Sequence, residues 1–568
     1  MHLRNRASRK IAIHLSKRAE MIGKRVLLFV LISMFFIHQG FGQTEMAGPS
    51  RPKLVVGIVV DQMRWDYLYR YYSRYGEGGF KRLLNQGFSC ENTLINYLPT
   101  YTAVGHTCIY TGSVPSISGI TGNNWTDQLT GRRSYCTEDS TVQSVGAPTA
   151  GGKMSPRNLL VSTITDELRI ATNFQSRVVG VSLKDRAAIL PAGHTANAAF
   201  WLDDASGNFI SSTYYMSQLP DWAEKYNRDK NINWLISDGW STLYPVGTYV
   251  ESDADNQPYE GKLDGEVFPV FPHDVKAAYA KDRGSLRSTP FGNTLTLDFA
   301  RAALEGYQLG RGPATDFLTI NCASTDYVGH LFGPNSIEVE DTYLRLDKDL
   351  AAFFTFLDNQ IGKDRYLVFL TADHGAANAV GFMQKHRLPA DFFIAENEVD
   401  TLNKQIREKF GIEKAIRSAE NFQINFDVDK ITAAKTDLHE VKALAVDFLK
   451  KQPGVNYAVD VDQLQDAAIP EPIRTMITNG YNFKRSGQVE VVFEPGWLET
   501  SAQTGTTHGS WNPYDTHIPL VFMGWKIHPG STNTTVHITD IAPTLAALLH
   551  IQMPDGCIGT PITDVINK

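Results

Sequence analysis

Residues 53–62 read KLVVGIVVDQ. The run from Leu54 to Val60 is apolar throughout and shows no alternation of polarity, so it cannot be a strand with one wet face. Such a run is a strand buried on both faces, as in a parallel or mixed sheet. It stops at a carboxylate, Asp61. Three further runs repeat the pattern: DFLTINCAS at 316–324, RYLVFLTADHG at 365–375 and HIPLVFMG at 517–524. Between them lie segments of helical spacing. In DTYLRLDKDLAAFFTFLDNQIG, 341–362, Leu344, Leu350, Phe353, Phe354 and Leu357 fall on one stripe. Strands alternating with helices predict an α/β fold, with a central, mostly parallel sheet flanked by helices.

The chain has 568 residues, enough for a large core with insertions. Residues 50–189, 291–384 and 491–568 are expected to form the core, and 190–290 and 385–490 to be cap or insertion segments. The first insertion is rich in Trp, Tyr, Asn, Asp and Pro. The second holds a helix-like piece, LHEVKALAVDFLKKQPG, and a hairpin-like piece, NFKRSGQVEVVFEPGW. The net charge of −7 argues against a nucleic-acid partner, whose binders are usually basic. Residues 1–42 carry several Arg and Lys, then VLLFVLISMFFI at 26–37, then small residues in GFGQ. That order predicts a signal peptide cut near Gly42/Gln43 and a periplasmic or secreted protein. The apolar run is shorter than the roughly 18 residues of a spanning helix, so no membrane span is expected in the mature form. The five cysteines show no C-x-x-C pairing and allow at most two disulfides.

Three of the four apolar runs end in metal-binding residue types. Asp61 follows GIVV, Asp326 and His330 follow TINCAS in STDYVGH, and Asp373 and His374 follow LVFLTA. Ligands of open α/β sheets collect at the carboxyl ends of strands. His508, in GTTHGSW just before the fourth run, is a further candidate. Three carboxylates and three imidazoles without a thiolate suit two Zn²⁺ ions. A single Asp after a strand is more often a cap, and His106, His194, His517 and His537 read as packing or hydrogen-bonding histidines rather than ligands. Recurrence at successive strand ends singles these six out.

A hydroxyl for displacement chemistry sits in NYLPTYTAVGHTCIYTGSVPSISG, 96–119. Thr102 begins a helical stretch whose N-terminus favours negative charge, and a nearby metal would lower its pKa further. Thr100 as nucleophile with Thr102 as cap fits the same spacing. In GVSLKDRAAILPAGH, Lys184 and Arg186 are two apart after an apolar run. If the strand continues, both face one side and would clamp a dianionic phosphoryl group, Arg by a fork of hydrogen bonds and Lys as a point charge. The plainer reading of such a pair is a solvated edge.

These motifs, in this order from about Pro52 to the C-terminus, resemble the alkaline phosphatase superfamily, and within it the PafA-type alkaline phosphatases. The resemblance implies an alkaline-phosphatase-like core and a two-zinc site. One zinc would be held by Asp326, His330 and His508, the other by Asp61, Asp373, His374 and the Thr102 oxygen. It implies Thr102 as nucleophile and Asn123 (in TGNNW), Lys184 and Arg186 as phosphate contacts. The activity implied is broad hydrolysis of small phosphate monoesters through a phosphothreonine, by a monomer. The C/S-x-P-x-R motif of sulfatases is absent, the position reading TYTAVG. Two other readings stand beside this one: a phosphodiesterase or nucleotide pyrophosphatase of the same superfamily, and a secreted binding protein using Trp201, Trp222, Trp234 and Trp240.

Overall fold

The computed structural model describes residues 14–27 and 50–566, apart from Asn231. Residues 14–27 are helical. The rest of the apolar leader run and the expected cut at Gly42 lie outside the described residues.

The main sheet has ten strands: β1 (Leu54–Val60), β2 (Phe88–Cys90), β3 (Ser144–Val145), β4 (Val178–Ser182), β5 (Ala198–Asp203), β6 (Asn208–Ser212), β7 (Asp316–Cys322), β8 (Tyr366–Thr371), β9 (Leu520–Gly524) and β10 (Gly530–Thr532). Their spatial order is β10-β2-β9-β8-β1-β7-β4-β5-β6-β3. The centre, from β8 to β5, is parallel. Outside it, β9 runs antiparallel to both β8 and β2, and β6 antiparallel to β5. The sheet is therefore mixed, with parallel strands where the apolar runs are most continuous. Buried apolar character does not encode strand direction.

Register decides where the functional ends fall. Val60 lies opposite Cys322 and Val59 opposite Thr371, so β1, β7 and β8 finish side by side. Ser182 of β4 pairs with Asn321. Because β9 is antiparallel, with Leu520 opposite Thr371, it starts at the edge where the parallel strands stop. The loop before it, carrying His508, thus arrives at the same rim.

Helices cover both faces: α1 (Thr102–Thr111), α2 (Asp185–Ala192), α3 (Phe291–Gly306), α4 (Ser324–Phe332), α5 (Ile337–Gln360) and α6 (Ile541–Leu549). Of these, α1 is buried at all ten positions. Segment 190–290, expected as an insertion, contributes β5 and β6 to the main sheet. Segment 385–490 supplies most of a second, antiparallel sheet ordered Ile416–Glu420, Gln423–Phe426, Val489–Phe493, Val455–Asp460. It has its own core around Leu402, Ile406, Phe426 and Val441. The expected hairpin at its end does not form. Val489–Phe493 pairs within this sheet, whereas Trp497–Glu499 pairs in parallel with Asp391–Phe393.

Helix α1 rests directly on the segment that follows β8. A Cβ at Gly105 would come within 2.3 Å of the Asp373 carbonyl oxygen and 2.6 Å of its Cβ. Alanine normally favours a helix over glycine by about 1 kcal/mol. Gly105→Ala is nevertheless expected to destabilise the protein by about 1–3 kcal/mol through overpacking, measured as a lower denaturation midpoint. An unchanged or raised midpoint would show that α1 can move off β8.

Candidate active site

The rim described above gathers every side chain the sequence singled out as a metal ligand. Asp61 follows β1 directly, and Asp373 and His374 follow β8. Asp326 and His330 lie one turn apart on α4, with His330 Nε2 3.1 Å from Asp326 Oδ1. His508 Nε2 is 3.7 Å from the same oxygen, and its ring stacks on that of His374 at 3.5 Å between centroids. Donor atoms of Asp326, His374 and His508 lie within 4.8 Å of one another, as do those of Asp61, Asp373 and His374. His374 is thus common to both groups, and His330 reaches them through Asp326.

Two buried carboxylates meet one ammonium here. Lys184 Nζ donates to Asp61 Oδ2 at 2.9 Å and to Asp326 Oδ2 at 2.7 Å. Burial alone would lower the lysine, but Asp326 and Asp61 offset it and hold the ammonium above its ordinary pKa. Burial, reinforced by Asp373 against the pull of Lys184, pushes Asp61 up to about 6. Burial also penalises Asp326 and Asp373, yet imidazoles hold both below the usual carboxylate range: His330 beside Asp326, His374 and His106 beside Asp373.

The imidazoles are oriented by carbonyl groups. Nδ1 of His330 faces the Thr506 oxygen at 2.8 Å, that of His374 the Gly375 oxygen at 3.0 Å, and that of His508 the Thr100 oxygen at 2.7 Å. A carbonyl only accepts, so each ring holds a proton on Nδ1, and a ring with that single proton turns its Nε2 lone pair to the site. Metal-binding histidines are usually held this way. Burial, with His374 and His330 nearby, keeps His508 well below its ordinary pKa and therefore neutral. Among the described residues, buried Asp61 Oδ1 has no hydrogen-bond partner, and Asp373 Oδ2 has only the His106 and His374 imidazoles near it, at 3.2 and 3.4 Å. Lone pairs left over in a dry pocket, with no thiolate, fit divalent cations such as zinc.

The geometry separates the two threonines. Thr102 Oγ1 lies 3.4 Å from His374 Nε2 and 3.5 Å from Lys184 Nζ. The Thr100 hydroxyl donates instead to the Ser510 carbonyl at 3.2 Å. Tyr101 is the extended N-cap residue of α1, and neither threonine caps it. Asn123 Oδ1 accepts from the Ala103 N–H at 3.0 Å, which fixes this amide beside the first turn. Lys184 and Arg186 do not share a strand face, because β4 ends at Ser182 and Lys184 is the N-cap of α2. Arg186 Nη1 donates to the Tyr135 hydroxyl at 3.1 Å, and its Nε is buried without a partner.

Several contributors escaped the sequence reading. Gln62, at φ +63°, donates from Nε2 to Asp326 at 2.8 Å and from its backbone N–H to Asp373 at 3.2 Å. Asn321 donates from Nδ2 to Asp61 at 3.1 Å. Its signal was a lone amide inside an apolar strand. His106, read as a packing or hydrogen-bonding histidine, is buried one turn after Thr102, with Nδ1 2.9 Å from the Thr102 carbonyl oxygen and 3.2 Å from Asp373 Oδ2; its place beside Asp373 is what the sequence did not show. His194, by contrast, pairs with Asp166, and His517 stacks on Trp65. All five cysteines are free.

A family model described as type I phosphodiesterase / nucleotide pyrophosphatase matches residues 55–515. The chain belongs to that family, in the alkaline phosphatase superfamily. Alkaline phosphatase PafA from Elizabethkingia meningoseptica is 53% identical over 540 residues, which cover 95% of this chain and 99% of the relative. Alkaline phosphatase PhoV from Synechococcus elongatus is 53% identical over 549 residues, with coverage of 95% and 99%. The crystal structure of wild-type PafA matches with a TM-score of 0.90 at 54% identity, covering 91% of this chain and 99% of that one. The superfamily resemblance read from the motifs therefore holds along nearly the whole chain.

One residue outside the cluster ties its loops together. Asp515 Oδ2 accepts from the Ser510 N–H at 2.8 Å and hydroxyl at 2.6 Å, and its carbonyl accepts from the Gly375 N–H at 2.8 Å. It thus braces the segments carrying His508 and His374. Asp515→Ala is expected to weaken divalent-metal retention by about 10–100-fold, read by competition with a chromogenic chelator. Unchanged retention would show that the His508 loop is held without the Asp515 carboxylate.

Proposed function

We propose that the protein is a secreted, zinc-dependent alkaline phosphatase that hydrolyses phosphate monoesters with Thr102 as nucleophile and releases inorganic phosphate. Near-full-length identity to two named alkaline phosphatases supports the monoesterase reading. One observation of the site carries it furthest: the buried ammonium of Lys184 lies 3.5 Å from the Thr102 hydroxyl oxygen. A monoester dianion needs more positive charge at the phosphoryl group than a diester, which carries a single negative charge. Lys184, Arg186 with its unpartnered Nε and the amide of Asn123 are the groups placed to meet it.

Thr102 begins α1, where the helix N-terminus and the nearby ammonium both favour the alkoxide. The Thr102 hydroxyl gives up its proton, its oxygen forms a bond to phosphorus as the P–O bond to the ester oxygen breaks, and that oxygen takes up a proton, giving a phosphothreonine and an alcohol. Water then attacks that phosphorus and loses a proton, the departing Thr102 oxygen regains one, and phosphate is released. Asn123, Lys184 and Arg186 hold the non-bridging oxygens while the equatorial charge redistributes. Two divalent ions, one at Asp326, His330 and His508 and one at Asp61, Asp373, His374 and Thr102, would supply Lewis-acid charge at the attacking and leaving oxygens. The basic, apolar order of the first 42 residues supports export through a cleavable signal peptide.

A diesterase reading is favoured by the description of the family model alone. Turnover of an aryl phosphate monoester and its methyl diester, measured side by side, decides between the two. The wild type is expected to prefer the monoester strongly, and Thr102→Ala to lose at least about 10³-fold in kcat on it, as expected when a nucleophile is removed. Lys184→Ala with Arg186→Ala is expected to cost the monoester about 10²–10⁴-fold more than the diester, the size of two charge-assisted hydrogen bonds. Equal losses would show that the pair does not read the second charge.

A further inference from the structure

A cavity of about 390 Å³ opens beside the nucleophile, between the core and the second sheet. Its inner end is formed by Tyr101, which immediately precedes Thr102, and by Asn123, whose amide is fixed on the first turn of α1. Its outer wall comes from the 393–396 segment, from the Ile416–Phe426 hairpin and from Glu499–Ser501. That wall is anchored. Asn421 Nδ2 donates to the Asn124 carbonyl at 2.8 Å, and Thr126 Oγ1 to Glu420 at 2.7 Å. Phe422 packs on the Tyr101 ring at 5.9 Å. A group esterified to a phosphoryl held at Thr102 and Asn123 therefore has a built chamber next to it rather than open solvent.

The chamber is acidic. Its charged lining groups are Glu396, Glu420, Glu499 and Arg133. Arg133 Nε pairs with Glu420 at 3.0 Å, so these two cancel. Glu396 and the half-buried Glu499 remain. Burial pushes the Glu499 carboxyl up to about 7, and no neighbouring charge or hydrogen bond offsets it. At alkaline pH it is ionised and in need of a cation. The ring of Tyr101 offers a second, weaker attraction for an ammonium group.

We infer that this cavity is the leaving-group subsite and that Glu499 makes it selective for monoesters of amino alcohols, whose ammonium group it binds, over monoesters with neutral or anionic leaving groups. The inference rests on the monoesterase reading above. The recognition is ionic and local: the phosphoryl group is held at Thr102 and Asn123 while the ammonium reaches Glu499 across the chamber. Anionic leaving groups, such as nucleoside diphosphates, meet two uncompensated carboxylates there and are disfavoured.

The test compares kcat/KM of the holoenzyme at pH 8 for 3-aminopropyl phosphate and butyl phosphate, which match in length and differ in charge. Both are measured for wild type and Glu499→Gln. Intrinsic reactivity differs between the two esters but cancels when their ratio is compared between the proteins. Glu499→Gln is expected to cut the ratio by about tenfold, the size of one charge-assisted hydrogen bond in a half-buried site. Glu396→Gln, at an exposed position, is expected to change it less than threefold, as for solvated charges. Butyl phosphate turnover with an unchanged ratio would overturn the subsite assignment and leave the monoesterase reading standing. No turnover of either ester, or of an aryl monoester, would overturn both. Glu499→Gln removes a half-buried carboxylate that nothing offsets, so its melting midpoint at pH 8 is expected to equal or exceed that of the wild type. A lowered midpoint with an unchanged ratio counts against the inference.

Discussion

Burying Asp61, Asp326 and Asp373 together is the constraint on which the site depends. Three carboxylates out of water repel one another and lose their hydration, and among the described residues one ammonium, that of Lys184, pairs with two of them, Asp61 and Asp326. A buried charge is tolerated when it is paired or coordinates a metal. The fold answers part of this with hydrogen bonds from Gln62 and Asn321. What is left, oxygen lone pairs without partners, is what a divalent cation would take. The same excess of negative charge explains why a lysine can stay protonated here while fully buried.

The scaffold makes that concentration possible by register. Parallel pairing in step brings the ends of β1, β7 and β8 to one rim, and antiparallel β9 returns the chain to it from the other side. Helix α1 is then pressed on the Asp373 backbone, close enough that glycine is required at 105. Thr102 therefore approaches His374 and Lys184 by packing of a helix on a strand end, with no flexible loop between. The second sheet is not peripheral to this arrangement. Through Phe422 it packs on Tyr101, and the same two rings crowd Gly509 beside His508.

Much of this was legible in the sequence because buried strands announce themselves as unbroken apolar runs. A carboxylate or imidazole at the end of each run is then informative: Asp61, Asp326, Asp373 and His374 were found this way, and the structure brings all four together. Other features were hidden for physical reasons. An apolar run carries no direction, so the antiparallel course of β9 could not be read from it. Lys184 and Arg186 were placed on one strand face because nothing local marks Ser182 as the last strand residue. The turn there is made by Lys184 becoming a helix cap. Thr100 and Thr102 are equivalent by spacing, and only the Ser510 carbonyl, 410 positions away in sequence, removes Thr100 from the site. His106 could be read as a buried hydrogen-bonding histidine, but its partner Asp373, which follows a strand distant in sequence, could not be named.

The stereochemical course at phosphorus tests the central claim, displacement by Thr102, most directly. Transfer from an isotopically chiral phosphate monoester to an acceptor alcohol would proceed by two in-line displacements if Thr102 is the nucleophile. Net retention of configuration is the predicted result. Inversion would mean a single displacement by water or the acceptor itself, and would remove Thr102 from the role that the geometry of α1, Lys184 and His374 supports.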